Sequence, residues 1–208
     1  MTNKAIIFDL DGVLVDSKHI HYDALNLALG SINTKYVISR KDQDSIFEGM
    51  TTRSKLDILT HTLGLPKELH DYVWTLKQQY SAAMFKSLPR DEELVDLFKI
   101  IDGHGISIGV ASNSIRQTLT NCLQAIGVWE YVEVSLSNED VKNPKPNPEI
   151  YNMCMAMLDS TPTSTIIFED SEIGKQAARQ SNAFLVEVNG RKDLSVRLIS
   201  NKIVSYFE

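Results

Sequence analysis

The N-terminal segment of the chain places two carboxylates two residues apart, directly after an apolar run. Residues 5–8 are predicted to form a strand buried on both faces. Side chains alternate along an extended chain, so Asp9 and Asp11 should point the same way. Two acids held this close repel each other and are costly to bury unpaired. The pair therefore predicts a site for a hard divalent cation such as Mg²⁺; the plainer alternative is a turn that ends at Gly12.

Two later segments carry polar groups that could bind an anion. Ser112 and Asn113 follow the predicted strand 106–111, where hydroxyl and backbone N–H groups at a helix start either bind an anion or simply cap the helix. Lys145 lies in a run with three prolines, which predicts a stiff loop that aims its ammonium group. The alternative for Lys145 is an exposed loop lysine.

A second pair of acids repeats the opening pattern. Glu169 and Asp170 follow the predicted buried strand 165–168 and precede a helix start. Asp170 could be the N-cap of that helix, a role that is compatible with metal binding by the same group. Acids at the ends of two separate strands strengthen the prediction of a metal site.

Composition limits the partners of the protein. The 208 residues are 43% hydrophobic and 23% charged, with a formal charge of −6 and no dense basic block. These values favour a globular protein that binds neither nucleic acid nor an anionic membrane. Cys122 and Cys154 have no metal-ligand spacing and predict buried thiols in a reducing compartment. No signal peptide or apolar span is apparent, so we expect a cytoplasmic protein, and we expect a monomer.

The apolar patterns predict a helical segment inserted into an alternating helix and strand domain. Predicted helices at 19–29, 52–63 and 66–86 are followed by helices at 92–101, 114–126, 148–158 and 171–181, a short helix and tail after 191, and strands at 106–111, 131–136, 165–168 and 183–188. We predict a doubly wound, Rossmann-like parallel α/β core, residues 1–16 and 88–208, with a helical cap at 17–87 over the strand ends.

Four motifs resemble, in order and spacing, those of the haloacid dehalogenase superfamily. They are Asp9-Leu10-Asp11-Gly12-Val13, Ser112-Asn113, Lys145-Pro146 and Glu169-Asp170. The match spans the predicted core, residues 1–16 and about 89–190. The helical insert is similar to the small cap of the phosphoglycolate phosphatase and β-phosphoglucomutase group. The presence of Asp11 argues against the dehalogenases themselves, which lack the second aspartate.

The resemblance implies a role for each motif residue. Asp9 would attack phosphorus to give an aspartyl-phosphate, and Asp11 would serve as general acid and then as base. Ser112, the Asn113 backbone and Lys145 would bind the phosphoryl oxygens. Mg²⁺ would be held by the Asp9 carboxylate, the Asp11 carbonyl and Asp170, and Glu169 would bind it directly or orient its water.

Cap residues bear on whether the enzyme is a phosphatase or a mutase. His21 matches a cap histidine of the β-phosphoglucomutase pattern, but the expected cap arginine falls at Thr52, with Arg53 one residue late, and the expected cap lysine falls one residue before Lys77. One residue rotates a helical side chain by about 100°. We therefore prefer a phosphatase. The plainer alternative makes Arg53 and Lys77 solvated charges and His21 a satisfied polar residue.

The leading prediction is a Mg²⁺-dependent phosphatase that hydrolyses small phosphorylated metabolites of the sugar phosphate or phosphoglycolate type. A sugar-phosphate mutase is the alternative. A signalling receiver fits less well because it places its phosphorylated aspartate on a later strand. A non-catalytic module on the same fold is disfavoured by the intact acids. Residues 48–53, with His21 and Lys77, suggest a polar leaving group.

Overall fold

We analysed a computed structural model that describes residues 2–47 and 50–207. Contacts divide the chain into two compact units, Met1–Ser17 with Leu88–Glu208, and Lys18–Ser87. The division lies one residue later than the predicted boundary at residue 17. Glu48, expected among the cap residues that face the substrate, lies outside the described residues.

The first unit is a five-stranded parallel sheet flanked by helices. Its strands are β1 (Asn3–Phe8), β2 (Ser107–Ala111), β3 (Val134–Leu136), β4 (Ser160–Glu169) and β5 (Phe184–Glu187), in the spatial order β3-β2-β1-β4-β5. Each pairing is parallel, and Phe8 of β1 is in register with Val110 on one side and Phe168 on the other. The predicted doubly wound α/β fold is confirmed.

Helices cover both faces of β1, as its unbroken apolar run requires. We number the helices of the whole chain in order, so those of this unit are α5 (Glu92–Gly103), α6 (Arg116–Ala125), α7 (Glu149–Met157), α8 (Glu172–Gln180) and α9 (Val196–Phe207). Ile7 packs in a cluster with residues of α7 and α8. Phe8 points the opposite way, and its ring centroid stacks 5.2 Å from that of Phe98 in α5.

The strand order places a topological switch point beside β1. After β1 the chain extends the sheet through β2 and β3 on one side, and then returns to add β4 and β5 on the other. In open α/β sheets ligands bind outside the carboxyl ends of the strands at such a point. Asp9 follows β1, and Glu169 ends β4, so both acid pairs meet at this position.

The described residues of the second unit form helices joined by short connections, with no strand among them. The unit contains α1 (Lys18–Ile32), α2 (Arg40–Asp42), α3 (Thr52–Leu63) and α4 (His70–Lys86), with single turns of other helix types at Thr34–Tyr36, Gln43–Phe47 and Lys67–Leu69. α1 packs on α4. α3 has the predicted bounds, and Gly64 ends it in the left-handed conformation, φ 70°. α1 continues three residues beyond its predicted end at residue 29, to Ile32.

Several predicted boundaries are wrong by a few residues. Residues 129–131 form a helical turn, so β3 begins at Val134 and not at Tyr131. β4 begins five residues earlier than predicted, at Ser160. The C-terminal helix α9 is a full 12 residues long. Both cysteines are free and buried, as predicted. Within the residues described, helices are too short or too polar to cross a membrane.

Candidate active site

The segment after β1 turns sharply so that the two aspartates face the switch point. The Asp9 N–H still donates to Phe168 O, at 3.0 Å, which extends the sheet by one residue. Gly12 then adopts φ 90°, and its N–H donates to Val15 O at 2.7 Å. A Cβ at Gly12 would lie 2.0 Å from Asp170 Oδ2, so only glycine fits there. The turn therefore packs directly against the Asp170 carboxylate.

Lys145 is the central cation of the site. Its Nζ donates to Asp9 Oδ1 at 2.6 Å, to Glu169 Oε1 at 2.9 Å and to Ala111 O at 2.8 Å. Only 3% of the side chain is exposed. All three ammonium donors are therefore used, and the alternative of an exposed loop lysine is wrong.

Asn113 fixes the backbone of Lys145 through its side chain. The Lys145 N–H donates to Asn113 Oδ1, and Asn113 Nδ2 donates to Lys145 O, both at 3.1 Å. These two reciprocal hydrogen bonds join the loop after β2 to the loop that carries Lys145. The role predicted from the sequence concerned the Asn113 backbone, and this role of the side chain was missed.

Glu169 accepts hydrogen bonds from four donor groups and is fully buried. Its Oε1 accepts from Lys145 and, at 3.3 Å, from the Tyr151 hydroxyl. Its Oε2 accepts from the N–H of Ser171 at 2.9 Å and from its hydroxyl at 3.1 Å. A Cβ at Gly174 would lie 1.7 Å from Oε1, which leaves no room for a side chain there. The four donors occupy the lone-pair positions that a carboxylate offers.

Ser171, and not Asp170, caps α8. The Ser171 hydroxyl accepts from the Gly174 N–H at 3.1 Å, so the alternative reading of Asp170 as a helix cap is wrong. Oxygen atoms of Asp9, Glu169 and Asp170 lie within 4.8 Å of one another. Asp9 and Asp170 offer the hard oxygen donors that Mg²⁺ prefers, whereas the oxygens of Glu169 already accept four hydrogen bonds, so the first two fit the expected ion as ligands. The Asp11 carboxylate is not part of that group.

The charges of the site also fit a divalent cation. Burial raises the pKa of the Asp9 carboxyl; the Lys145 ammonium opposes this, and Glu169 and Asp11 add to it, so the pKa lies well above its usual range. Burial lowers the pKa of Lys145, but attraction to Asp9, Tyr151 and Glu169 outweighs it and keeps the lysine charged. The Lys145 ammonium pairs with two of these carboxylates, Asp9 and Glu169. A bound cation would offset the excess negative charge.

Asp11 faces the serines that follow β2. Ser114 Oγ donates to Asp11 Oδ2 at 2.7 Å, and Ser112 Oγ lies 3.5 Å from the same oxygen. The predicted alternative of a helix cap is wrong, because the N-cap of α6 is Ile115 and makes no side-chain capping bond. Ser114 was not among the predicted site residues, although it lies in the same polar run as Ser112.

Asp140 holds the start of the loop that carries Lys145, and its pKa gives a prediction about how stability depends on pH. Its Oδ2 accepts from the Ser137 N–H and hydroxyl, each at 2.8 Å, and its Oδ1 pairs with Arg116. Burial raises the pKa of Asp140, but the two Ser137 bonds and the Arg116 guanidinium outweigh it, so the pKa is lowered. A carboxyl whose pKa is lowered in the folded protein stabilises the fold at pH values above its unfolded-state pKa. This stabilisation is lost as pH falls through the folded-state pKa.

Asp140→Asn should therefore lower the free energy of unfolding by about 1 kcal/mol near neutral pH. The difference from wild type should shrink below about pH 4, where the wild-type carboxyl becomes protonated. Urea unfolding at several pH values measures it, with the exposed Asp102→Asn as the matched control. A difference that stays constant down to pH 2 would contradict the assignment.

The cap candidates lie in the second unit. Lys77 is 7% exposed, and its Nζ lies 3.2 Å from His21 Nδ1, so the reading of Lys77 as a solvated charge is wrong. Arg53 is 59% exposed and pairs with Asp71 at 2.7 Å, which agrees with a solvated charge. Thr52 is the half-buried first residue of α3. Their roles toward a substrate stay predictions.

Comparison with known proteins defines the class. Residues 6–188 match the model of the haloacid dehalogenase-like hydrolase family. The chain therefore belongs to this family. A phosphorylated carbohydrates phosphatase of Thermotoga maritima is 25% identical over 178 residues, which cover 86% of this chain and 81% of the relative. Family membership and this phosphatase confirm the prediction of an enzyme that hydrolyses phosphate monoesters.

Two further comparisons concern mutases. A β-phosphoglucomutase of Bacillus subtilis is 24% identical over 192 residues, which cover 89% of this chain and 83% of the relative. The crystal structure of β-phosphoglucomutase from Clostridium difficile superposes with a TM-score of 0.76 and 23% identity, and 99% of each chain is covered. At this identity the structural likeness shows the fold alone.

Proposed function

We propose that this protein is a Mg²⁺-dependent phosphatase that cleaves small phosphorylated metabolites, such as sugar phosphates or phosphoglycolate, through an aspartyl-phosphate on Asp9. The observation that carries the proposal is the buried contact of 2.6 Å between Lys145 Nζ and Asp9 Oδ1, at the edge of a carboxylate group suited to a metal. The resemblance of the four motifs to the superfamily pattern supports the same roles.

In the proposed reaction Asp9 supplies the nucleophile. One carboxylate oxygen forms a bond to phosphorus while the bond from phosphorus to the ester oxygen breaks. The leaving oxygen keeps that electron pair and takes a proton from Asp11. Asp11, now ionised, removes a proton from water, which attacks phosphorus, releases phosphate and returns the Asp9 carboxylate. Each proton that Asp11 gives in the first step is recovered in the second.

Other residues bind and orient the phosphoryl group. Lys145, Ser112 and the Asn113 backbone would bind its oxygens, and the Asn113 side chain holds Lys145 in place. Asp9, Asp170 and the Asp11 carbonyl would hold Mg²⁺, which when bound offsets the negative charge that the phosphoryl group brings. Glu169 already accepts four hydrogen bonds. It would therefore orient Lys145 and the start of α8 and would not bind the metal directly.

The metal requirement is tested with p-nitrophenyl phosphate. We expect release of phosphate in the presence of Mg²⁺, and loss of activity by more than about 100-fold after treatment with EDTA, restored by added Mg²⁺. Equal rates with and without the ion would contradict the proposal. A panel of sugar phosphates and phosphoglycolate then gives the substrate class by comparison of kcat/KM values.

A mutase is the second candidate because of one contact in the second unit. The buried Lys77 lies beside His21, the position that matches the cap histidine of the β-phosphoglucomutase pattern, and a curated relative is such a mutase. Incubation with β-glucose 1-phosphate and a bisphosphate primer distinguishes the two. Glucose 6-phosphate formed faster than free phosphate would favour the mutase; free phosphate alone would exclude it.

A further inference from the structure

Ser114 points its hydroxyl at the proposed general acid. Its Oγ lies 2.7 Å from Asp11 Oδ2, which is the usual length of a hydroxyl hydrogen bond. Ser112, the serine of the recognised motif, lies 3.5 Å from the same oxygen, beyond that range. Of these two serines, Ser114 makes the stronger contact with Asp11.

Helix capping does not explain Ser114. Serine is a favoured cap, but α6 begins at Arg116, and its N-cap Ile115 makes no side-chain bond. The Arg116 N–H is satisfied from elsewhere, by Glu139 Oε2 at 2.9 Å. The Ser114 hydroxyl is therefore available to contact Asp11.

The backbone around Ser114 is fixed on both sides. Its N–H donates to Ser112 Oγ at 2.9 Å, and its carbonyl accepts from the Asn138 N–H at 3.2 Å. With both peptide groups held, only rotations about the Cα–Cβ and Cβ–Oγ bonds remain to direct the hydroxyl. Little conformational entropy is lost when this residue holds a partner.

We propose that Ser114 is a positioning residue that orients the Asp11 carboxyl for proton transfer, an inference that rests on the proposed function. The Ser114 hydroxyl holds Oδ2 and so fixes the plane of the carboxyl, which assigns the transfer of the acid proton to Oδ1. When the ester bond breaks, the leaving oxygen keeps the electron pair and takes the Oδ1 proton. Asp11 is left ionised, with Oδ2 still held by Ser114.

The test compares esters that differ in their need for a proton. Nitrophenolate is a weakly basic leaving group and departs without a proton, whereas the strongly basic alkoxide of an alkyl phosphate must be protonated as it departs. Ser114→Ala should lower kcat/KM for an alkyl phosphate about 10- to 100-fold and for p-nitrophenyl phosphate less than about 3-fold. The ratio kcat/KM includes only the steps up to departure of the leaving group, so the later attack by water does not obscure the comparison.

Two further variants separate positioning from a general effect on the fold. Ser114→Thr keeps the hydroxyl and should restore most of the loss on the alkyl ester. Ser205→Ala removes an exposed helix hydroxyl of the same unit and should leave both rates unchanged. Equal losses on both ester types, or no loss on either, would overturn the proposal.

A measurement independent of turnover distinguishes this inference from the proposed function. Crystal structures of wild type and Ser114→Ala should show the Asp11 carboxyl held in the first and displaced in the second. An unchanged Asp11 in the variant would overturn the role of Ser114 whatever the activity. Failure of the wild-type enzyme on every ester would contradict the proposed function alone.

Discussion

Asp9→Asn is expected to lower kcat for phosphate release by more than about 10⁴-fold, which is more than the loss of an acid or base group alone costs. The amide has nearly the same shape, and its oxygen can still accept from Lys145, so the fold should survive. It is, however, a poor nucleophile, and no covalent path remains. Steady-state phosphate release and rapid-quench detection of a phosphorylated protein measure the effect.

The control for this variant is the exposed Asp102→Asn, which makes the same chemical change on α5 and should leave kcat unaltered. Wild type quenched in acid during turnover should carry a phosphoryl group, and Asp9→Asn should not. A variant that keeps even a tenth of wild-type kcat would show that Asp9 is not the nucleophile.

The core of the site could be predicted because chemistry and strand ends coincide in the sequence. Asp9 and Glu169 each follow an apolar run long enough to be a buried strand. Parallel strands carry such residues to one edge of the sheet. The bounds of these strands mattered little, since only their carboxyl ends had to be right. The late start predicted for β4 did not change the position of Glu169.

The contacts between distant loops could not be predicted. The Tyr151 bond to Glu169 joins a helix face to a strand end, and the Asn113 bond to Lys145 joins residues 32 apart in sequence. Neither has a local pattern. Lys77 shows the same limit: its helical position left a solvated charge open as the alternative to a substrate contact, but packing of α1 against α4 buries it beside His21.

Lys145→Met is expected to affect both stability and activity, because one buried ammonium serves two buried carboxylates. Removing it leaves Asp9 and Glu169, which are 5% and 0% exposed, without their cation. Loss of one partner from a buried ion pair costs about 3–5 kcal/mol of unfolding free energy. Activity should fall by at least about 100-fold, since the group that binds phosphoryl oxygens is gone.

The pH dependence of this deficit identifies its cause. Without Lys145 the already raised pKa of Asp9 rises further. A carboxyl whose pKa is raised in the folded protein lowers the free energy of unfolding at pH values above its unfolded-state pKa. This stability is regained as pH falls. The deficit of Lys145→Met in metal-free buffer should therefore shrink as pH falls towards about 4, the pKa of an aspartate in the unfolded chain. Lys99→Met, which breaks a surface pair with Asp96, should show little deficit at any pH. A pH-independent deficit would indicate lost packing and not uncompensated charge.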